Sequence, residues 1–370
     1  MAARPKSLAA AAVAATVLMT GAPAVAAPAG TLQKVALDTG GRAWARVLQV
    51  NGRGEILGYA SDPEASGGIR PVLWQRYDTL TDLGRPGDYP MALNNRGDVL
   101  GETWIWRDGR IVSLHHPSQP VRAADLNDHG QVTGTLEGST PWLNRAFRWQ
   151  DGQFTDLGAP GDESWTVGIA VNNRGVVLGW VYEEIGLPAG GFLWRNGVMT
   201  VFGTEFASIT PLDLNDRGQV LSNAQVTEDA AVHPYLWYRG RMTDLMAGRP
   251  HATGLGQDIN GAGDVAGSID SRPVLWRGGR TMFLLPPKWR GTAVSVNERG
   301  DVAGVAATGS GDEADARVFL WRDGRVHFSR PETGSLSRPY VAGVDERGRV
   351  AGGLGDPGTG ETRAYVWRLV

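Results

Sequence analysis

Residues 211–215, Pro-Leu-Asp-Leu-Asn, alternate apolar and polar side chains, the period of two that predicts a strand showing one side to a core. Asp216-Arg217-Gly218 then turns the chain, since Gly suits the left-handed position while Asn or Asp can hydrogen-bond its own backbone. Gln219-Val220-Leu221 predicts a second strand and Tyr235-Leu236-Trp237 a third. Arg239-Gly240 makes another tight turn, and residues 241–245 predict a fourth strand.

Two phrases of this unit recur along the whole chain. The first is an apolar residue, then Asn (once Asp), two turn residues and Gly. It falls at Asn51, Asn94, Asn127, Asn172, Asn215, Asn260, Asn297 and Asp345. The second is anchored on Trp74, Trp106, Trp149, Trp194, Trp237, Trp276, Trp321 and Trp367. Successive first phrases lie 33 to 48 residues apart, a repeat period that signals a propeller or solenoid. Four antiparallel strands per unit make a blade. The expected fold is all-β: a β-propeller of eight four-stranded blades, with seven blades plus an irregular one as the alternative. The second unit motivates that alternative, because residues 101–106 leave almost no loop between its middle strands.

The last unit stops at Tyr365-Val366-Trp367-Arg368-Leu369-Val370, without a fourth strand. Gly30-Thr31-Leu32-Gln33-Lys34-Val35 aligns with the fourth strand of the third unit, Gly152-Gln153-Phe154-Thr155-Asp156-Leu157. The N-terminal segment is therefore expected to be the outer strand of the last blade, closing the ring non-covalently and covering an edge.

Residues 1–26 read as a secretory signal peptide: Arg4 and Lys6 charge the first residues, residues 8–19 are apolar, and Ala24-Val25-Ala26 suits cleavage before Ala27. The apolar run is too short and Ala-rich for a comfortable span. Residues 27–370 then form one propeller domain, expected to be secreted, in contact with the cell wall at most, without membrane attachment after cleavage. Cysteine is absent, so no disulfide framework exists and burial must supply the stability. A net charge of −3 gives no reason to expect a nucleic-acid partner. The chain is expected to be a monomer.

The phrases "LNDHGQVTG…RAFRWQDGQFTDLG" (126–158) and "VNNRGVVLGW…GGFLWRNG" (171–197) resemble the HAF-type extracellular repeats of bacteria. The resemblance covers essentially all of residues 27–370 and implies an exported repeat protein. The family's eponymous His is replaced by Arg145, Gly190 and Arg363 in three units; His233 lies nearby in a fourth, followed by Pro234 rather than Ala.

The recurring residues read as structural. A repeated Trp buries on the order of 150–250 Å² and contributes at most about 4–6 kcal/mol. Its indole N–H, close to a turn, is expected to reach a carbonyl. On the first strand, Asp125, Asp213 and Asp258 share a position with Gln49, Ala92, Ala170, Ser295 and Gly343. Three scattered carboxylates make a poor metal ring, and turns such as Asn172-Asn173-Arg174-Gly175 lack the alternating carboxylates of a calcium loop. Arg96-Gly97-Asp98 and Arg299-Gly300-Asp301 read as turns rather than adhesion motifs. No nucleophile elbow, zinc helix or phosphate loop occurs, and neither cofactor, metal nor catalytic residue is assigned.

Strand parity places the Asn-containing turns and the turns after Trp on one face. The longer, irregular loops fall on the other, where binding residues usually sit. That loop face collects the aromatics and acids outside the repeat register. The candidate ligand-binding residues are Trp142, Trp165, Tyr182, Glu183, Trp289 and Tyr340, with Glu184, Glu205 and Phe206 nearby. The expected function is a non-enzymatic binding module for a glycan, a wall polymer or a protein. The alternatives are a propeller lyase or glycosidase, which needs paired carboxylates converging near the axis, and a protein scaffold. Glu183 and Glu184 are adjacent and would point apart on a strand.

Overall fold

The computed structural model describes residues 30–183, 188–309, 315–332 and 337–370, so the expected signal peptide and Glu184 lie outside the described residues. Strands of three to eight residues run through the whole ring; the helix described is a single 3-10 turn, Pro141–Leu143. The first blade shows the unit. Ala45–Val50 leads into the Asn turn, Ile56–Ser61 returns, Ile69–Arg76 carries the Trp, and Thr79–Asp82 is the outer strand, each antiparallel to the next.

The sheets number seven, six of four strands and one of eight. The large one is two blades joined, so counted by four-strand units the ring has eight blades. The join is the N-terminal strand. Gly30–Ala36 pairs antiparallel with Thr362–Leu369, Lys34 opposite Trp367, which makes it the outer strand of the last blade as its sequence predicts. It also pairs in parallel with Arg325–Ser329 of the seventh blade, Thr31 opposite Phe328. Both edges of this strand are thus covered, which the sequence did not suggest. The second blade, though contracted, keeps four strands: Val99–Gly101 and Trp104–Arg107 are separated by two residues only.

Each Trp of the repeat pairs with the first residue of the second strand, from Ile56↔Trp74 to Val350↔Trp367. Six of these Trp are buried; Trp106 and Trp237 are half-buried, and in the contracted blade Trp104 occupies the interior instead. The core lies between blades. One cluster joins Ala266 and Leu275 of the sixth blade to Trp289, Val302, Phe319 and Trp321 of the seventh. The indole expectation holds for Trp74, whose Nε1 donates to the Asp38 carbonyl at 2.6 Å. It fails for Trp276 and Trp367, whose Nε1 atoms are buried without a protein partner, because packing rather than hydrogen bonding fixes those rings.

Every first strand slips register by one residue against the second, at Leu48, Met91, Ala124, Ile169, Leu212, Gln257, Val294 and Ala342. A β-bulge of this kind bends the strand and re-aims the next side chain. In six of the eight blades the second strand then passes so close to the first that only Gly fits. A Cβ on Gly58, Gly134, Gly179, Gly267, Gly304 or Gly352 would stand 2.0–2.2 Å from a first-strand carbonyl oxygen.

Candidate functional site

The central channel has two unlike mouths. On the Asn-turn side, every turn Asn accepts through Oδ1 and donates through Nδ2 to the next blade, and all but Asn172, which faces Val176, also donate to a side chain of their own turn. Asn127 Oδ1 accepts from the backbone N–H of His129 and Gln131, while its Nδ2 donates to Gln131 Oε1 at 2.7 Å and to the Asn172 carbonyl of the next blade at 2.8 Å. The same inter-blade bond runs from Asn51 to Asn94, Asn94 to Asn127, Asn172 to Asn215, Asn215 to Asn260, Asn260 to Asn297 and Asn297 to Asp345. All of these Asn are buried. A second series lies outside it: except at Asp216, which faces Gly261, the N–H of the residue after each Asn donates to a side chain of the next blade, as Asn95 to Asp128 and Asn173 to Asp216. Arginines after the Trp turns lock the same face, Arg107 to Asp98 at 3.0 Å and Arg322 to Asp301 at 2.6 Å. Asp98 and Asp301 are therefore buried, which excludes the adhesion reading of both Arg-Gly-Asp turns.

At the seam between the last and first blades the chemistry is reversed. Asp345 has no amide to donate, and position 349, four residues on, holds Arg where six other blades have Glu, Asp or Gln and the fourth has Val176. Arg349 pairs with the Asp345 carboxylate and also donates to the Arg53 carbonyl of the first blade at 3.4 Å. Acceptor and donor have exchanged places, and the ring of bonds stays closed.

The first-strand carboxylates are inter-blade clasps. Asp125 Oδ2 accepts from Val171 N–H and Asp258 Oδ2 from Val296 N–H, both at 2.8 Å; Gln49 does the same for Leu93 at 2.9 Å. Asp213 accepts from its own neighbour Leu214 at 2.7 Å and from Ile259. Burial pushes the Asp125 carboxyl up to about 6, and burial with the neighbouring Asp213 charge pushes Asp258 up to about 7. Burial raises Asp213 as well. Asp213 and Asp258 line a channel cavity of ≈ 930 Å³ together with Gln257, Ser295, Glu298 and Glu346. Among the described residues no group of His, Asp and Glu is placed to hold a metal ion.

The loop-side mouth is unlike this. Trp165 and Tyr182 face each other across the first two strands of the fourth blade and stack, ring centroids 3.8 Å apart and planes 7° from parallel. Trp180 lies 6.3 Å from Tyr182, and Glu183 is exposed at the strand end. All three rings are half-buried, and the Trp165 Nε1 has no protein partner. Trp142 falls on the 3-10 turn of the third blade. Phe206 packs edge-on against Tyr235.

Two candidates are corrected. Trp289 is only 7% exposed and stacks on Phe328 at 4.3 Å inside the core between the sixth and seventh blades, so it has no face to offer a ligand. Tyr340 is a clasp: its hydroxyl accepts from Val47 N–H at 2.9 Å across the closing seam, and burial pushes its pKa up to about 12.

Sequence reasoning missed a belt beside Tyr340. Counting five residues back from each turn Asn or Asp gives Arg46, Tyr89, Arg122, Val167, Thr210, Leu255, Thr292 and Tyr340, one per blade. Three consecutive blades thus place Tyr340, Arg46 and Tyr89 at one register position. Arg46 lies opposite Tyr59, whose ring meets Tyr89 at 5.2 Å and Trp44 at 5.9 Å, both edge-on. The signal was available in the spacing, but Arg46 and Tyr340 sit within strands and Tyr89 directly before one, rather than in the long loops.

No family model and no curated protein matches this chain. Solved structures do share its architecture. A prolyl endopeptidase is 9% identical over 87% of this chain and 50% of its own, with a TM-score of 0.49. The WD40 propeller domain of Doa1 is 12% identical, covering 90% of this chain and 95% of its own, TM-score 0.38. YCF48, solved with a bound D1 peptide, is 11% identical over 95% and 100%, TM-score 0.41. The chain spans about half the length of the prolyl endopeptidase, the puromycin hydrolase and the acylaminoacyl peptidase it matches, 50% to 56%.

Proposed function

We propose that the protein is an exported binding module of the HAF-repeat kind, and that its loop face takes a glycan or wall-associated polymer on the Trp165–Tyr182 platform. The observation that carries this reading is the stacked pair itself. Its half-buried rings offer aromatic surface on the face where loops vary. On the opposite face the buried turn Asn are committed to holding blades together. Retention of the protein on cell-wall and plant polysaccharides tests the reading. Trp165→Ala and Tyr182→Ala are each expected to weaken retention about tenfold, in line with losing one well-packed aromatic contact; unchanged retention for both overturns it. Export predicts that the protein in culture supernatant begins at Ala27.

A second reading, a polysaccharide-cleaving enzyme, draws on Asp213 and Asp258, a carboxyl pair with raised pKa at the channel wall. It is the weaker one, because both carboxyls already accept backbone N–H bonds. Chain cleavage of a bound polymer that disappears in Asp258→Asn would reverse that order.

A further inference from the structure

We infer that Arg46, bedded on the ring of Tyr340 and flanked by Tyr59, Tyr89 and Trp44, is a subsite for the carboxylate of an acidic saccharide. The inference rests on the glycan reading of the loop face and names the ligand's charge. Its first support is a comparison at one register position. Arg122, the counterpart of Arg46 two blades on, is neutralised by Glu137 and by Glu102 at 3.7 Å. Arg46 is exposed, and among the described residues no carboxylate pairs with it. Its guanidinium instead lies 4.9 Å from the centroid of the Tyr340 ring. A cation over an aromatic face keeps its charge and its in-plane donors, and a guanidinium's fork matches a carboxylate.

The second support is rigidity. Tyr340 cannot swing away, since its hydroxyl is tied to Val47 N–H at 2.9 Å. Tyr59 is wedged between Trp44 and Tyr89. A charge held on fixed rings loses little freedom on binding. The flanking surface sets the rest of the ligand: Tyr89 is 56% and Met91 46% exposed, flat apolar area suited to the C–H face of a pyranose beside its carboxylate.

The experiment measures binding of pectate and alginate, each against its carboxyl-reduced form, to wild type, Arg46→Met, Arg46→Lys and Trp165→Ala. Wild type is expected to prefer the acidic polymers by about tenfold or more, the usual strength of a hydrogen bond to a charged group. Arg46→Met removes the preference with the melting temperature unchanged, and Arg46→Lys keeps part of it. A preference that survives Arg46→Met, or is absent in wild type, overturns the inference while leaving the glycan reading standing. Equal capture of polyglutamate overturns the saccharide assignment. The glycan reading fails separately, if Trp165→Ala and Tyr182→Ala both leave retention of acidic and neutral polymers alike unchanged.

Discussion

The two mouths of the channel are built from the same strands and do opposite work. On the Asn-turn side, one side-chain amide per blade satisfies its own turn and the next blade's carbonyl. The residues there repeat closely from blade to blade, apart from Val176, Gly261 and the seam. On the loop side the equivalent positions hold Arg, Tyr, Val, Thr or Leu, and the side chains meet in blade-specific clusters such as Trp165–Tyr182 or Trp44–Tyr59–Tyr89. A ring needs repetition where blades converge and hydrogen bonds must close; it is free to differ where they do not. On the proposed reading, stability and recognition are thereby separated onto two faces.

The seam gives the strongest way to break this comparison. Arg349→Ala leaves the Asp345 carboxylate, 1% exposed, without its cation, and a broken buried pair costs about 3–5 kcal/mol. The double change Asp345→Asn with Arg349→Gln rebuilds the arrangement of Asn127 and Gln131, and most of that loss is expected to return in urea unfolding. Next in size is Asn172→Ala, which strands the N–H of Arg174 and Val176 and the carbonyl of Asn215. Three unpaired buried groups are expected to cost about 3 kcal/mol or more. At the loop mouth Trp165→Phe, which keeps a ring against Tyr182, is expected to cost only about 1 kcal/mol. Equal losses at the two sites would erase the distinction.

The clasping carboxylates sharpen the same contrast through pH. Asp125 and Asp258 have folded pKa values above the ordinary carboxylate value, so the folded state holds more protons. Their contribution is fully present below the unfolded pKa, and stability falls as pH rises from about 4 through about 6 and 7. Asp258→Asn keeps an acceptor for Val296 N–H and has nothing to ionise. Its melting temperature is expected to exceed that of wild type at pH 8 and to match it near pH 4. A variant that melts below wild type at pH 8 would show that the charged carboxylate stabilises the clasp.

Much of the fold was legible because turn chemistry and strand pairing are local. Asn51-Gly52-Arg53-Gly54 announces its turn, Trp74 marks the third strand, and the orphaned strand at residues 30–35 announces closure. What stayed hidden is carried by contacts between blades. Nothing local in Asn127 says that its Nδ2 bonds Asn172, and the bulge at Leu48 looks like ordinary alternation. The loop-face candidates were chosen for lying outside the repeat register. That criterion found Trp165 and Tyr182 but also Trp289, whose burial depends on Phe328 far along the chain. It passed over Arg46 and Tyr59, which sit inside the register and differ from their counterparts only in side chain.

Hydrogen–deuterium exchange with and without bound polysaccharide tests the division of labour most directly. The backbone N–H groups at residues 53, 55, 96, 98, 129, 131, 174, 176, 217, 219, 262, 264, 299, 301, 347 and 349 are expected to exchange slowly around the ring and to ignore the polymer. Residues 164–166 and 180–183 are expected to gain protection when it binds. Fast exchange at the Asn turns, or protection by polymer on that face, would contradict the account.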